Sequence, residues 1–107
     1  MFELIVYQQE QGRRPYNKWF DSLRDKQTQS RIITRLDQVR AGNLGDCRSV
    51  GEGVVELRID AGPGYRIYCG RSGATLVVLL CGGDKSSQDK DIKRAKGFWA
   101  DWKRRCR

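Results

Sequence analysis

The chain has 107 residues, 38% hydrophobic and 32% charged, a composition that suits one soluble globular domain over residues 1–107 with a single modest core and excludes a disordered chain. Its charge is lopsided: 21 Lys+Arg against 13 Asp+Glu give +8 at pH 7, and 14 of the 21 cations are arginine. Such an excess attracts nucleic acid, an acidic protein or an anionic surface, and the planar fork of arginine tilts the choice toward phosphate. The longest apolar run, Leu76 to Cys81, is six residues, whereas a membrane helix needs about twenty. The first residues, MFELIVYQQEQ, lack the basic start and long apolar stretch of a signal peptide, so a cytoplasmic protein is expected. Four cysteines (Cys47, Cys69, Cys81, Cys106) form no CxxC pair and no histidine exists to join them. Reduced thiols are therefore expected, and no metal or cofactor.

In chain order, Phe2 to Tyr7 is rich in β-formers and predicts a first strand. Between Arg13 and Arg24, Tyr16, Trp19, Phe20 and Leu23 recur at helical spacing, with Pro15 suited to the first turn. A second helix is predicted from about Lys26 to Ala41, burying Ile32, Ile33, Leu36 and Val39 and leaving Arg24, Arg31, Arg35 and Arg40 on the other side of a helical hairpin. Leu44 to Gly53 reads as a glycine-punctuated loop. Three strands follow, Val54–Asp60, Tyr65–Gly70 and Thr75–Cys81, and their short connections predict an antiparallel meander. In the last strand both alternate sets are apolar, Leu76, Val78 and Leu80 against Val77, Leu79 and Cys81, so it should be central and covered on both faces. A final helix is predicted from Ser86 to Arg107. Its stripe of Ile92, Ala95, Trp99 and Trp102 fits the core better than base stacking, and its basic remainder suits either a solvated face or an RNA footprint. The expected order is β-α-α-β-β-β-α, an α+β domain with a small, twisted, mainly antiparallel sheet.

The chemistry concentrates in the hairpin VVELRIDAGPGYRIYC, residues 54 to 69. A loop centred on Gly62 sets Val55 against Cys69, Leu57 against Ile67 and Ile59 against Tyr65, all apolar. The opposite face then holds Glu56 across from Tyr68 and Arg58 across from Arg66. A one-residue slip would drive Arg66 into the core, so the register is well determined. Two arginines facing each other cost up to about 1 kcal/mol unless an anion sits between them. One explanation is a solvated strand face on which Glu56 neutralises one arginine and Tyr68 packs on its stem. The other is a phosphate site, with Tyr68 available to stack on a base and the exit Cys81-Gly-Gly-Asp-Lys85 delivering Lys85 to the end of the sheet. Asp84 and Lys85 also fit a simple turn into a helix cap.

The run from Glu56 to Ala95 resembles the RelE/ParE superfamily of bacterial toxins, in its HigB-like branch of addiction-module killer proteins. Glu56-Leu-Arg58, Gly64-Tyr-Arg66, Cys81-Gly-Gly-Asp-Lys85 and Asp91-Ile-x-x-Ala95 carry the resemblance. It implies a toxin of a type II toxin–antitoxin pair, held by a cognate antitoxin, expected to be a helix-turn-helix protein, that arrests growth by cutting mRNA, typically on the ribosome. The alternative within the superfamily is a ParE-like protein that poisons DNA gyrase without catalysis, and a basic RNA-binding module is a third possibility. In RNA-cutting members the arginine matching Arg66 contacts the scissile phosphate. The absence of histidine departs from relatives that use a histidine base. On this reading Arg66, Lys85 and Glu56 are the candidate catalytic residues. Glu56 would be the base or the ion-pair partner that orients Arg58, and Lys85 or Tyr68 the acid, unless Lys85 serves only as a clamp. Arg58, Tyr68, Lys90 and Arg94 would bind RNA.

Overall fold

The computed structural model describes residues 1–106, so Arg107 of the basic end lies outside them. The elements are β1 (Glu3–Val6), α1 (Pro15–Ser22), α2 (Lys26–Arg40), β2 (Cys47–Gly51), β3 (Val54–Arg58), β4 (Arg66–Ser72), β5 (Leu76–Gly83), a 3₁₀ turn (Lys85–Ser87) and α3 (Gln88–Arg105). The strands form one sheet in the order β1-β5-β4-β3-β2, with β1 parallel to β5 and every other pair antiparallel. The mixed α and β character holds, but the order of elements needs a correction. A fifth strand, β2, occupies the segment expected to be loop, while β5 lies inside the sheet between β1 and β4 and is covered on both faces, as its two apolar sets require.

The two faces of the sheet carry different covers. The α1–α2 hairpin buries Tyr16, Ile32, Leu36 and Val39 against Leu57, Ile59, Ile67, Cys69, Val77 and Leu79. On the other face α3 sets Ala95 and Trp99 against Val54, Tyr68, Val78, Leu80 and Cys81, and Trp102 stacks on Trp99 at 5.1 Å. The tryptophans of α3 thus serve the core. Ile33, expected inside, is 51% exposed, while Thr28 in the first turn of α2 is buried and bonds the capping residue Asp25. Arg31 and Arg35 are not a free cationic face: Arg31 donates to the Asp60 carbonyl, and Arg35 donates to those of Arg58, Leu44 and Asp46. They pin the helical hairpin to the end of the β3–β4 hairpin.

The register read from the sequence is the one observed: Val55 pairs with Cys69, Glu56 with Tyr68, Leu57 with Ile67 and Arg58 with Arg66. One irregularity matters downstream. Tyr68 pairs with Cys81 but Cys69 pairs with Leu79, so Leu80 is an extra residue in β5. The bulge moves Cys81 to the α3 face instead of the Val77–Leu79 face expected from alternation. Beyond it, Gly82 lies under the Trp19 ring and Gly83 under Asp91 of α3, each too close for a Cβ. Gly70 is in the same position beneath Trp99. Gly70→Ala should therefore destabilise the protein by about 1–3 kcal/mol through overpacking, read as a lower urea midpoint at unchanged slope.

Candidate functional site

Glu56 organises the site. It lies in β3 between Arg48 of β2 and Tyr68 of β4, directly opposite each in register. The turn Gly51-Glu52-Gly53, with positive φ at all three residues, folds β2 back on β3 and creates that juxtaposition. The Glu56 carboxylate is fully buried. It accepts hydrogen bonds from Arg48 Nε at 3.0 Å, Tyr68 Oη at 3.1 Å and Gln88 Nε2 at 3.0 Å. Arg58 Nε and Arg66 Nε each lie 3.6 Å from its Oε1. Burial would raise the carboxyl, but the hydrogen bonds from Arg48, Gln88 and Tyr68 and the charge of Arg48 outweigh it and hold Glu56 below the ordinary carboxylate range.

This arrangement answers how Arg58 and Arg66 can face one another: the anion between them is Glu56. Leaving that buried carboxylate without its arginines would cost more than the cross-strand repulsion. Three guanidiniums on one carboxylate still leave two positive charges in surplus. Asp46, 3.7 Å from Arg58, is 68% exposed and screens little of it. The surplus points outward, since Arg48 and Arg58 are nearly half exposed while Arg66 is 12% exposed. Arg66 Nη1 donates to the Gly64 carbonyl, and its buried Nε has no hydrogen-bond partner among the described residues. Arg58 and Arg66, together with the carboxylates Asp46 and Asp60 and with Gly64 and Tyr65, line a shallow depression at the end of the hairpin.

The expected strand face is not open, because α3 crosses it. Tyr68 is fully buried, its ring in the α3-side core and its hydroxyl committed to Glu56, so it presents no stacking surface. Burial, followed by the neighbouring Glu56 charge, raises its phenol far above the usual value. Glu56 likewise has no access to solvent. Lys85 is exposed on the 3₁₀ turn and passes beside Gly64, at the edge of the arginine depression. Asp84 caps this turn through Ser86 and Ser87, as the turn-and-cap alternative expected. Lys90 is exposed one turn into α3, on the surface it shares with Lys85 and Gln88. Arg94 stands apart: it pairs with Asp91 at 3.4 Å, lies over Phe98 at 5.4 Å and faces a different concavity. Arg48 and Gln88 escaped the sequence reading. Gly51-Glu52-Gly53 between two short β-prone runs was the signal for Arg48; for Gln88, which lies 32 positions from Glu56 in the chain, no local signal existed.

Residues 18–97 match the model of the phage-derived Gp49-like family (DUF891), and the chain belongs to that family. An uncharacterised protein of Haemophilus influenzae is 48% identical over 81 residues, which span 76% of this chain and 82% of that protein. The family match takes in the end of α1, all of α2, strands β2 to β5 and the first half of α3.

Glu56→Gln should cost roughly 3 kcal/mol at neutral pH, the low end for a buried pair because two of its arginines are half solvated. The pH dependence has a fixed sign. A carboxyl held below 4.5 in the folded state stabilises the fold above about that pH and loses its contribution as pH falls through the folded value. The gap in urea midpoint between wild type and Glu56→Gln should therefore be widest near pH 7 and narrow below about pH 4.5.

Proposed function

We propose that this protein is the toxin of a type II toxin–antitoxin pair and acts as a metal-independent endoribonuclease on mRNA at the ribosome. The observation that carries the reading is the cationic surplus where three guanidiniums, those of Arg48, Arg58 and Arg66, converge on the single buried carboxylate of Glu56. Such a cluster is built to receive a second anion, and a phosphodiester fits both its charge and the fork geometry of arginine. Membership in the Gp49-like family and the RelE/ParE resemblance of the hairpin and the Gly-Gly-Asp-Lys exit support the same reading.

In the proposed reaction a ribose 2′-oxygen attacks the adjacent phosphorus, the bond to the 5′-oxygen breaks, and the 2′-hydroxyl proton passes to the leaving oxygen. The products are a 2′,3′-cyclic phosphate and a 5′-hydroxyl. Arg66, assisted by Arg58 and Arg48, stabilises the charge that builds at phosphorus. A preorganised donor of this kind is worth about 3–4 kcal/mol. Glu56 is a poor proton acceptor in its buried, triply hydrogen-bonded and acidified state, and Tyr68 a poor donor; both act as positioning residues that hold the arginines. In this reading Lys85, exposed at the rim, meets the leaving oxygen or the next phosphate. The partner we propose is an antitoxin with acidic or hydrogen-bonding groups for the cationic surface.

Arg66→Ala should abolish growth arrest on induced expression and lower RNA cleavage at least a hundredfold, with cleaved ends carrying 2′,3′-cyclic phosphate and 5′-hydroxyl. Arrest with intact mRNA and accumulating DNA breaks would instead establish the gyrase-poison alternative.

A further inference from the structure

A second concavity, of about 760 Å³, lies between α1 and α3 where β5 runs past the end of β1. Arg13, Arg14, Lys18 and Arg94 surround it, and Trp19 and Phe98 form its apolar walls over the Gly82 backbone. Among the described residues no carboxylate lines it. Among the described residues Arg13, Arg14 and Lys18 have no acidic partner: Arg14 donates only to Gln8, at 3.4 Å, while Arg94 keeps Asp91. All three cations are exposed.

Resting on the nuclease reading above, we infer that this groove holds single-stranded RNA on one side of the scissile phosphate. Two observations favour RNA over an acidic protein segment. The first is continuity: Trp19 meets Tyr65 edge to face at 6.1 Å, and Tyr65 lines the depression that contains Arg58 and Arg66. Gly82, on the groove floor, precedes Gly83, which pairs with Arg66. A strand leaving the arginine cluster over Tyr65 and Trp19 therefore enters the groove. The second is lining chemistry. Cations with aromatic side chains are what single-strand channels use, whereas an amphipathic peptide helix is anchored by aliphatic pockets, and this groove contains no leucine, isoleucine, valine or methionine.

The test measures binding of 2′-O-methyl RNA, which cannot be cut, as a trimer and as a decamer over a range of salt. Wild type should bind the decamer at least tenfold more tightly than the trimer. Arg13→Gln/Arg14→Gln/Lys18→Gln should erase most of that length gain and flatten the decamer's log–log salt slope by about 2, because each phosphate no longer neutralised removes roughly 0.7 from the slope. Arg66→Ala should weaken both lengths by a similar factor and keep the length gain, which separates failure of the groove from failure of the catalytic cluster. An unchanged decamer affinity and salt slope in the triple variant would overturn the inference. So would retention of RNA binding with loss of binding to a glutamate-rich peptide, which would make the groove a protein site.

Discussion

A carboxylate with no access to water must find all its compensation inside the protein, and Glu56 finds it in three arginines, a tyrosine and a glutamine. Removing one partner from such a buried group costs about 3–5 kcal/mol, several times the cross-strand repulsion of Arg58 and Arg66. The attraction wins, and it does so across three strands and a helix at once. Arg48 comes from β2, Glu56 and Arg58 from β3, Tyr68 and Arg66 from β4, and Gln88 from the start of α3. The cluster that concentrates positive charge thus also ties α3 to the sheet, so stability and the proposed anion binding draw on the same residues.

The β5 bulge serves the same end. By inserting Leu80 it resets the alternation so that Gly82 accepts Trp19 from one side and Gly83 accepts Asp91 from the other. These glycines let α1 and α3 close on the strand just before the chain turns out through Asp84 to Lys85. Ser87 Oγ donates to the Asp91 carboxylate and accepts from the Asp84 backbone N–H, fixing that turn where the lysine emerges beside Gly64. The cations of the groove and of the depression then lie on either side of the Trp19–Tyr65 pair.

Much of this was legible in the sequence because the signals were local. The hairpin register followed from three apolar pairs, which a slip would have destroyed, and the α2 core from its helical spacing. The strand β2 was hidden because Cys47-Arg-Ser-Val-Gly51 is short, polar and half exposed, at the sheet edge where hydrophobic alternation is weak. Missing it meant missing Arg48, and so the third guanidinium on Glu56. The burial of Tyr68 and Glu56 was hidden for another reason. Alternation puts both on the side away from the hairpin's apolar pairs, but which element crosses that face is a tertiary fact. Gln88 reaches Glu56 only because α3 turns back across the sheet.

If Glu56 is the anchor of the arginines and not the proton acceptor of the reaction, its carboxyl must stay ionised through neutral pH. Carbon-13 NMR titration of the labelled side-chain carboxyl in the intact protein measures this directly. A transition below pH 4.5 is the result predicted from its hydrogen bonds and the guanidinium beside it. A carboxyl that titrates well above that value, toward neutral pH, would contradict the account and return Glu56 to the role of general base.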